Sequence, residues 1–194
     1  MARRIAQLIL IALVAVAGCS TAPSRFYSLS STATADGTPA TSAAVMVGPV
    51  TIPASVDQPE FVVQVAPNRV DVDEFNRWVA PLNDAIARAV AGDLVVLLGT
   101  PQVASAQLAN FTPDYRVTID VQRFESIQGD AALDEAVWTV RKTAGGETRS
   151  GRTVAREPAQ GQGFDALAAA HSRAIAKMSA DIAAAIRAEA EKKP

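Results

Sequence analysis

The sequence predicts an α+β fold, a single two-layer domain of antiparallel or mixed strands packed by two main helices. Three observations carry that class. Tyr115, Val117, Ile119 and Val121 alternate with Arg116, Thr118, Asp120 and Gln122, the period of a strand with one wet face. Phe164, Leu167, His171, Ile175, Met178, Ile182 and Ile186 recur at threes and fours, the stripe of a long amphipathic helix. Phe75, Val79, Leu82, Ile86 and Val90 repeat that spacing earlier in the chain. Strands with one packed helix thus recur in each half, which suggests two β-α-β-β-type halves, although no residue-level repeat is visible.

Taken in order, Ser20 to Ala44 is rich in Ser, Thr, Ala, Gly and Pro and reads as a flexible tether. Arg25-Phe26-Tyr27-Ser28-Leu29 interrupts it, and two adjacent aromatics there predict a short strand docked on the domain. Val45 to Pro53 is β-branched with proline at its margins, the pattern of an edge strand. A turn at Asp57-Gln58-Pro59 leads to a strand over Phe61 to Val65, and Asn68 marks the next turn. Asp71 or Asp73 then caps the first helix, whose stripe Trp78 widens. Pro81 either kinks that helix or begins its longer second part, Gly92 stops it, and Leu94 to Leu98 forms a short buried strand.

After the strand from Tyr115, Gln128-Gly129-Asp130 closes a turn into a strand over Ala136 to Val140. Gly145-Gly146 then leads to a weaker strand around Thr153-Val154, completing a β-meander. The alanine-rich helix that ends the chain is expected to lie across this sheet.

The first residues follow a different logic. Arg3 and Arg4 give a positive start, Leu8 to Ala17 is almost continuously apolar, and small residues follow, the order of a secretory signal. A spanning helix needs about 20 apolar residues, and this run is about half that. Val16-Ala17-Gly18-Cys19 resembles a bacterial lipobox, with Val16, Ala17 and Gly18 as the signal-peptidase recognition residues and Cys19, the only cysteine of the chain, as the lipidated first residue of the mature protein. The expected organisation is a signal peptide over 1–18, a lipidated cysteine and tether over 19–44, and a periplasmic domain over 45–194. Ser20 in place of aspartate resembles the sorting pattern that directs lipoproteins to the outer membrane. With Cys19 acylated, the body has no thiol for a disulfide. The formal net charge is −2, and loss of Arg3 and Arg4 makes it about −4, which attracts neither nucleic acid nor an anionic surface.

No catalytic pattern stands out. The one histidine, His171, lies within the apolar stripe of the last helix, where packing or capping is the simpler role. Composition allows a Ser-His-Asp set, but no serine occupies a Gly-x-Ser-x-Gly turn. Asp71, Asp73 and Glu74 fit the positive end of a helix better than a metal or an acid/base pair. Gly161-Gln162-Gly163 lacks the further glycine and preceding strand of a dinucleotide turn, and Gly145-Gly146 lacks the lysine of a P-loop. Trp78 is open between core packing beside Phe75 and Leu82 and an anchor in a partner interface.

Phe26-Tyr27-Ser28-Leu29, Val47-Gly48-Pro49-Val50 leading into Ile52-Pro53, Val56-Asp57-Gln58-Pro59 and above all Glu74-Phe75-Asn76-Arg77-Trp78-Val79-Ala80-Pro81-Leu82 resemble the ABC-type transport auxiliary lipoproteins, the PqiC-like family. The resemblance implies a non-enzymatic outer-membrane lipoprotein working with an MCE-domain protein and its ABC transporter complex in lipid movement between membranes and in envelope integrity. It implies no cofactor beyond the covalent lipid on Cys19. A homo-oligomeric ring would suit a tubular partner. The rival readings are a lipoprotein that itself binds a lipid and a scaffold lipoprotein of another envelope assembly.

Overall fold

A computed structural model describes residues 22–145 and 147–191. Cys19 and Val16 to Gly18 lie outside the described residues. The elements run β1 (Arg25–Tyr27), β2 (Val45–Thr51), β3 (Glu60–Ala66), β4 (Arg69–Trp78), α1 (Leu82–Leu98), β5 (Val103–Ala104), β6 (Tyr115–Ile127), β7 (Ala131–Lys142), β8 (Thr148–Pro158) and α2 (Gly163–Glu191). All eight strands join one mixed sheet in the order β1-β4-β3-β6-β2-β5, with β7 and β8 continuing from β6. The α+β class is therefore as expected. Each half runs three strands and then a helix, β2-β3-β4-α1 and β6-β7-β8-α2, in place of the β-α-β-β order expected.

Strand β6 is the spine. Its start receives β2 and its end receives β3, both parallel, while β7 pairs antiparallel along its other side. Tyr115, Val117, Ile119 and Val121 point into the core, as their alternation requires. At Gln122 the register shifts against β7, because Val121 opposes Ala136 and Arg123 opposes Glu135. The extra residue reverses the inward parity, so Phe124 and Ser126 face the core instead of Arg123 and Glu125.

Strand β8 is longer than its weak signal suggested and buries Thr153, Ala155 and Glu157 on one face. Gly151 is required where it lies against Trp138, since a Cβ there would stand 2.2 Å from the indole ring. The final helix follows its stripe. Leu167, His171, Ile175, Met178, Ile182 and Ile186 are all buried against the sheet and α1.

Five expectations change. The stretch beginning at Asp71 is not a helix: Arg69–Trp78 is a strand paired antiparallel to β3, and the helix starts only beyond Pro81. Phe75 and Val79, counted in the helical stripe, are consequently exposed. Leu94 to Leu98 is not a strand but the last turns of α1, which Gly99 ends in the left-handed conformation at φ 64°. Gly92 is interior to that helix, where its bare Cα admits Ser31, whose Cβ would lie 2.9 Å from an added methyl. β2 is an edge only beyond Met46, since Val45 and Met46 are also paired to β5.

The fifth change concerns the expected tether. Residues 30–41 are laid across the seam between the two helices and fastened there. The buried carboxylate of Asp93 on α1 accepts at Oδ1 from Ser31 Oγ (2.8 Å) and from the amides of Thr32 and Ala33 (2.9 Å each), and at Oδ2 from Ser179 Oγ of α2 (2.9 Å). Ser30 N donates to Ser172 Oγ, Thr32 Oγ1 to Ser172 O, and Thr41 N to Leu98 O. Arg187 reaches the carbonyls of Pro39 and Leu97, each at 2.6 Å. Composition alone misses this strap because its polar residues find partners on the helices.

Candidate functional site

The first described strand sets the geometry of the site. β1 lies parallel on the outer edge of β4, Arg25 beside Asn76 and Tyr27 beside Trp78. Tyr27 turns inward, donates its hydroxyl to Asn76 Oδ1 at 2.7 Å and meets Phe61 edge-on at 5.7 Å. Burial, with Asp165 nearby, raises its phenol above the usual range. Phe26 alternates outward and is exposed.

Asp73 makes the corner possible. Its Oδ1 accepts from the amides of Phe75 and Asn76 and from Asn76 Nδ2, all at 2.9 Å. Partial burial works to raise its carboxyl, but the donors on Asn76 and Phe75 outweigh it and hold the group below its ordinary value. These are the amides that an N-cap aspartate would take, which is why the sequence reads as a helix start.

From Tyr27 a chain of rings runs inward. Trp78 stacks on Phe61 at 4.4 Å and meets Phe124 and His171 edge-on. With 5% of its surface exposed, Trp78 serves the core, and its role as an interface anchor is not what its position supports. A partner at this corner would meet Val79, which is exposed, and the groove that Asp57, Gln58 and Pro59 form with Val79 to Leu82.

The chain of rings ends at an arrangement that sequence reasoning missed. His171 Nε2 is 2.8 Å from Ser126 Oγ and its Nδ1 is 2.7 Å from Asp134 Oδ1, with the imidazole stacked on Phe124 at 3.8 Å. The distances are those of a Ser-His-Asp set, but the surroundings are different. Ser126 lies mid-sheet between β3 and β7, and the Gln128 amide nearby is already donated to Gln64. An oxyanion needs free donors aimed at it, and here the neighbouring amides hold the sheet. The network ties α2 to the sheet through its one buried ring. Burial raises the Asp134 carboxyl, against the opposing pull of His171. Asp134 Oδ2 has no hydrogen-bond partner among the described residues and borders a cavity of about 10 Å³, room for one water. The bulge at Gln122 was the only available signal for Ser126, and it exists only in the pairing with β7.

Among the described residues no cluster of metal-ligating side chains occurs, and no helix is long and apolar enough to cross a membrane.

The model of the ABC-type transport auxiliary lipoprotein component matches residues 27–183. The chain belongs to that family. The match begins at Tyr27 and ends within α2, so it spans the corner, α1, the meander and most of α2. Two crystal structures share the family fold. One is of an uncharacterized protein, 20% identical over 84% of this chain and 99% of its own, with a TM-score of 0.69. The other is a DUF330 protein from Xanthomonas campestris, 22% identical over 82% of this chain and 93% of its own, with a TM-score of 0.69. A comparison with curated proteins found no match. An auxiliary role in ABC-type transport is thus the coarse assignment, and a transporter is the partner it implies.

Proposed function

We propose that this transport auxiliary lipoprotein is anchored by acyl chains on Cys19 to the periplasmic side of the outer membrane, where its α+β domain docks the outer end of an MCE-type lipid transport machine. The observation that most supports the reading is the short run from Cys19 to β1. The lipobox cysteine stands only about six residues before the strand that holds the corner together, so an acylated chain keeps Arg25, where the domain begins, within about 20 Å of the bilayer. The fastened strap removes the long reach expected of residues 19–44. A partner must come to the membrane surface, as the tip of a periplasm-spanning assembly would.

Several acyl chains make such an anchor stable, whereas one alone binds reversibly. The rival in which the domain itself carries a lipid meets a filled interior at the aromatic corner. The cavity between α2 and the sheet is about 10 Å³, against roughly 300–1,000 Å³ for ligand pockets, and hollows that reach that size, such as those of about 360 Å³ beside Val79 and 510 Å³ beside Phe26, are grooves on the surface.

A crosslinked pull-down of the full-length protein from detergent-solubilised envelopes tests the docking. Recovery of an MCE-domain protein, lost when the domain is deleted, supports it; recovery of unrelated assembly subunits overturns it. Cys19→Ala tests the anchor, because the variant should accumulate as an unprocessed precursor. Crosslinking in native membranes also tests a ring, and monomers alone would exclude one.

A further inference from the structure

The sheet has one long, regular free edge, and it is β8. Its 11 residues, Thr148–Pro158, pair with β7 from end to end without a register shift, and no described strand lies on the other side. Beyond β7, its backbone is reached at the carbonyl of Pro158, where Arg173 donates at 2.7 Å, and nowhere else among the described residues. The other free edges are blunted. β1 has 3 residues and β5 has 2, the open part of β2 carries Pro49 and a register shift, and that of β4 is broken by the turn at Asp73. A bare ladder of the length of β8 presents alternate amides and carbonyls, which another strand matches as a set.

The order of charge along β8 says which strand fits. In a second copy laid antiparallel to the first, with both helix faces on the same side, a two-fold axis through Thr153 overlaps the whole strand and allows about ten backbone hydrogen bonds. Arg149 then stands opposite Glu157 of the second copy, and the axis repeats that pair at the other end. Ser150 faces Arg156, Gly151 faces Ala155, and the stem of Arg152 covers Val154, which is 57% exposed in the single chain. Moving the axis by one residue shortens the overlap and opposes like charges. At Arg152 it sets that guanidinium against its own copy, and at Val154 it sets Arg152 against Arg156. Within each chain Arg149 already meets Glu189, and Glu157 meets Arg173 and Lys177, so the new pair joins two networks and buries no lone charge.

We propose that β8 pairs with β8 of a second copy of this chain about a two-fold axis at Thr153, so that one mixed sheet runs through two molecules. A patch that pairs with itself closes after two copies, so the contact makes a dimer, and a ring would require a further one. β8 and β1 lie at opposite ends of the sheet, which leaves the aromatic corner and the exposed Val79 of each copy free for a different partner. The pairing uses no residue before Thr148 and is independent of the anchor and of the docking role.

The test mixes two full-length variants, Ser150→Cys and Arg156→Cys, each purified in detergent, under mild oxidation. Both positions are exposed. The axis places one opposite the other at about 5 Å between Cβ atoms, within reach of a disulfide. Two copies of the same variant hold their added thiols about 20 Å apart along the strand. The mixture should therefore give a disulfide-linked dimer and each variant alone should not, with the wild-type chain, whose one cysteine is Cys19, setting the background. Hydrogen exchange on the wild-type chain is the second reading and needs no substitution. The amides of β8 should slow by about tenfold or more as protein concentration rises, while those at the open edge of β4 stay unchanged. A dimer formed equally by Ser150→Cys alone overturns the register. A mixture with no dimer above background, and β8 exchange that ignores concentration, overturns the pairing. Protection of β8 that appears only when envelope extract is added gives the edge to a strand of another protein and overturns it too.

Discussion

The two ends of one sheet are treated in opposite ways. At the meander end, β6, β7 and β8 lie under α2, and even their polar residues are placed: Ser126 and Asp134 on His171, and Trp138 Nε1 on Thr153, which in turn donates to Asp181. At the hairpin end, β3 and β4 are richer in valine, yet Val70 and Val72 face outward and stay about half exposed. Both ends use the same strand chemistry, and the meander too leaves Val137 and Val154 exposed on its outer face, so what sets it apart is the polar set that α2 covers. The buried polar set beneath α2 is a feature of assembly, and the open valines stand outside it.

Substitution at each end should sharpen that contrast. Trp78→Ala removes the ring that joins Phe61 to Phe124 and His171, and should cost about 3–5 kcal/mol in urea unfolding. A loss under one kilocalorie would mean that the corner is not continuous with the core. Asp93→Ala leaves the strap donors and Ser179 without their acceptor, and should cost about 1–3 kcal/mol. It should also open a proteolytic site between residues 30 and 41 while the rest of the domain stays resistant. An unchanged digest would show that the strap is held without Asp93.

Asp134→Asn probes the buried set through pH. Burial raises the folded carboxyl above its unfolded value of about 3.9, so the native state takes up the proton first as pH falls. Wild-type stability should therefore rise relative to the variant from the folded value down to about 3.9, and the difference should be constant above that window. Urea midpoints of both proteins across that range check the sign, and a wild-type advantage that shrinks with acid would contradict it. The smallest effect belongs to the open face. Val72→Ser should change stability by no more than about 0.5 kcal/mol. A larger loss would mean that the valine has a partner within the fold.

Much of the architecture was legible because it rests on local period. The alternation from Tyr115, the stripe from Leu167 to Ile186 and the docking strand at Phe26-Tyr27 each declared their form without a partner. The failures occurred where local chemistry is shared by two structures. Asp73 satisfies the amides two and three residues on, which serves a helix start and a turn within a strand alike, and only the register against β3 decides between them. Leu94 to Leu98 is an apolar run of strand length, and its helical identity follows from continuity with Leu82 to Val90 over the neighbouring helix.

The order of charge, apolar run, small residues and cysteine that marks Cys19 is written in consecutive residues, as are the strand and helix periods, so the sequence by itself determined the expected anchor and the fold class. The tertiary structure alone decided the rest. Ser126 faces His171 because one extra residue is accommodated in the pairing of β6 with β7. The strap is ordered because Asp93 lies about sixty residues away in the chain and next to it in space. Both depend on groups that are distant in sequence, and the free energy that places them arises only when the sheet and helices are already together.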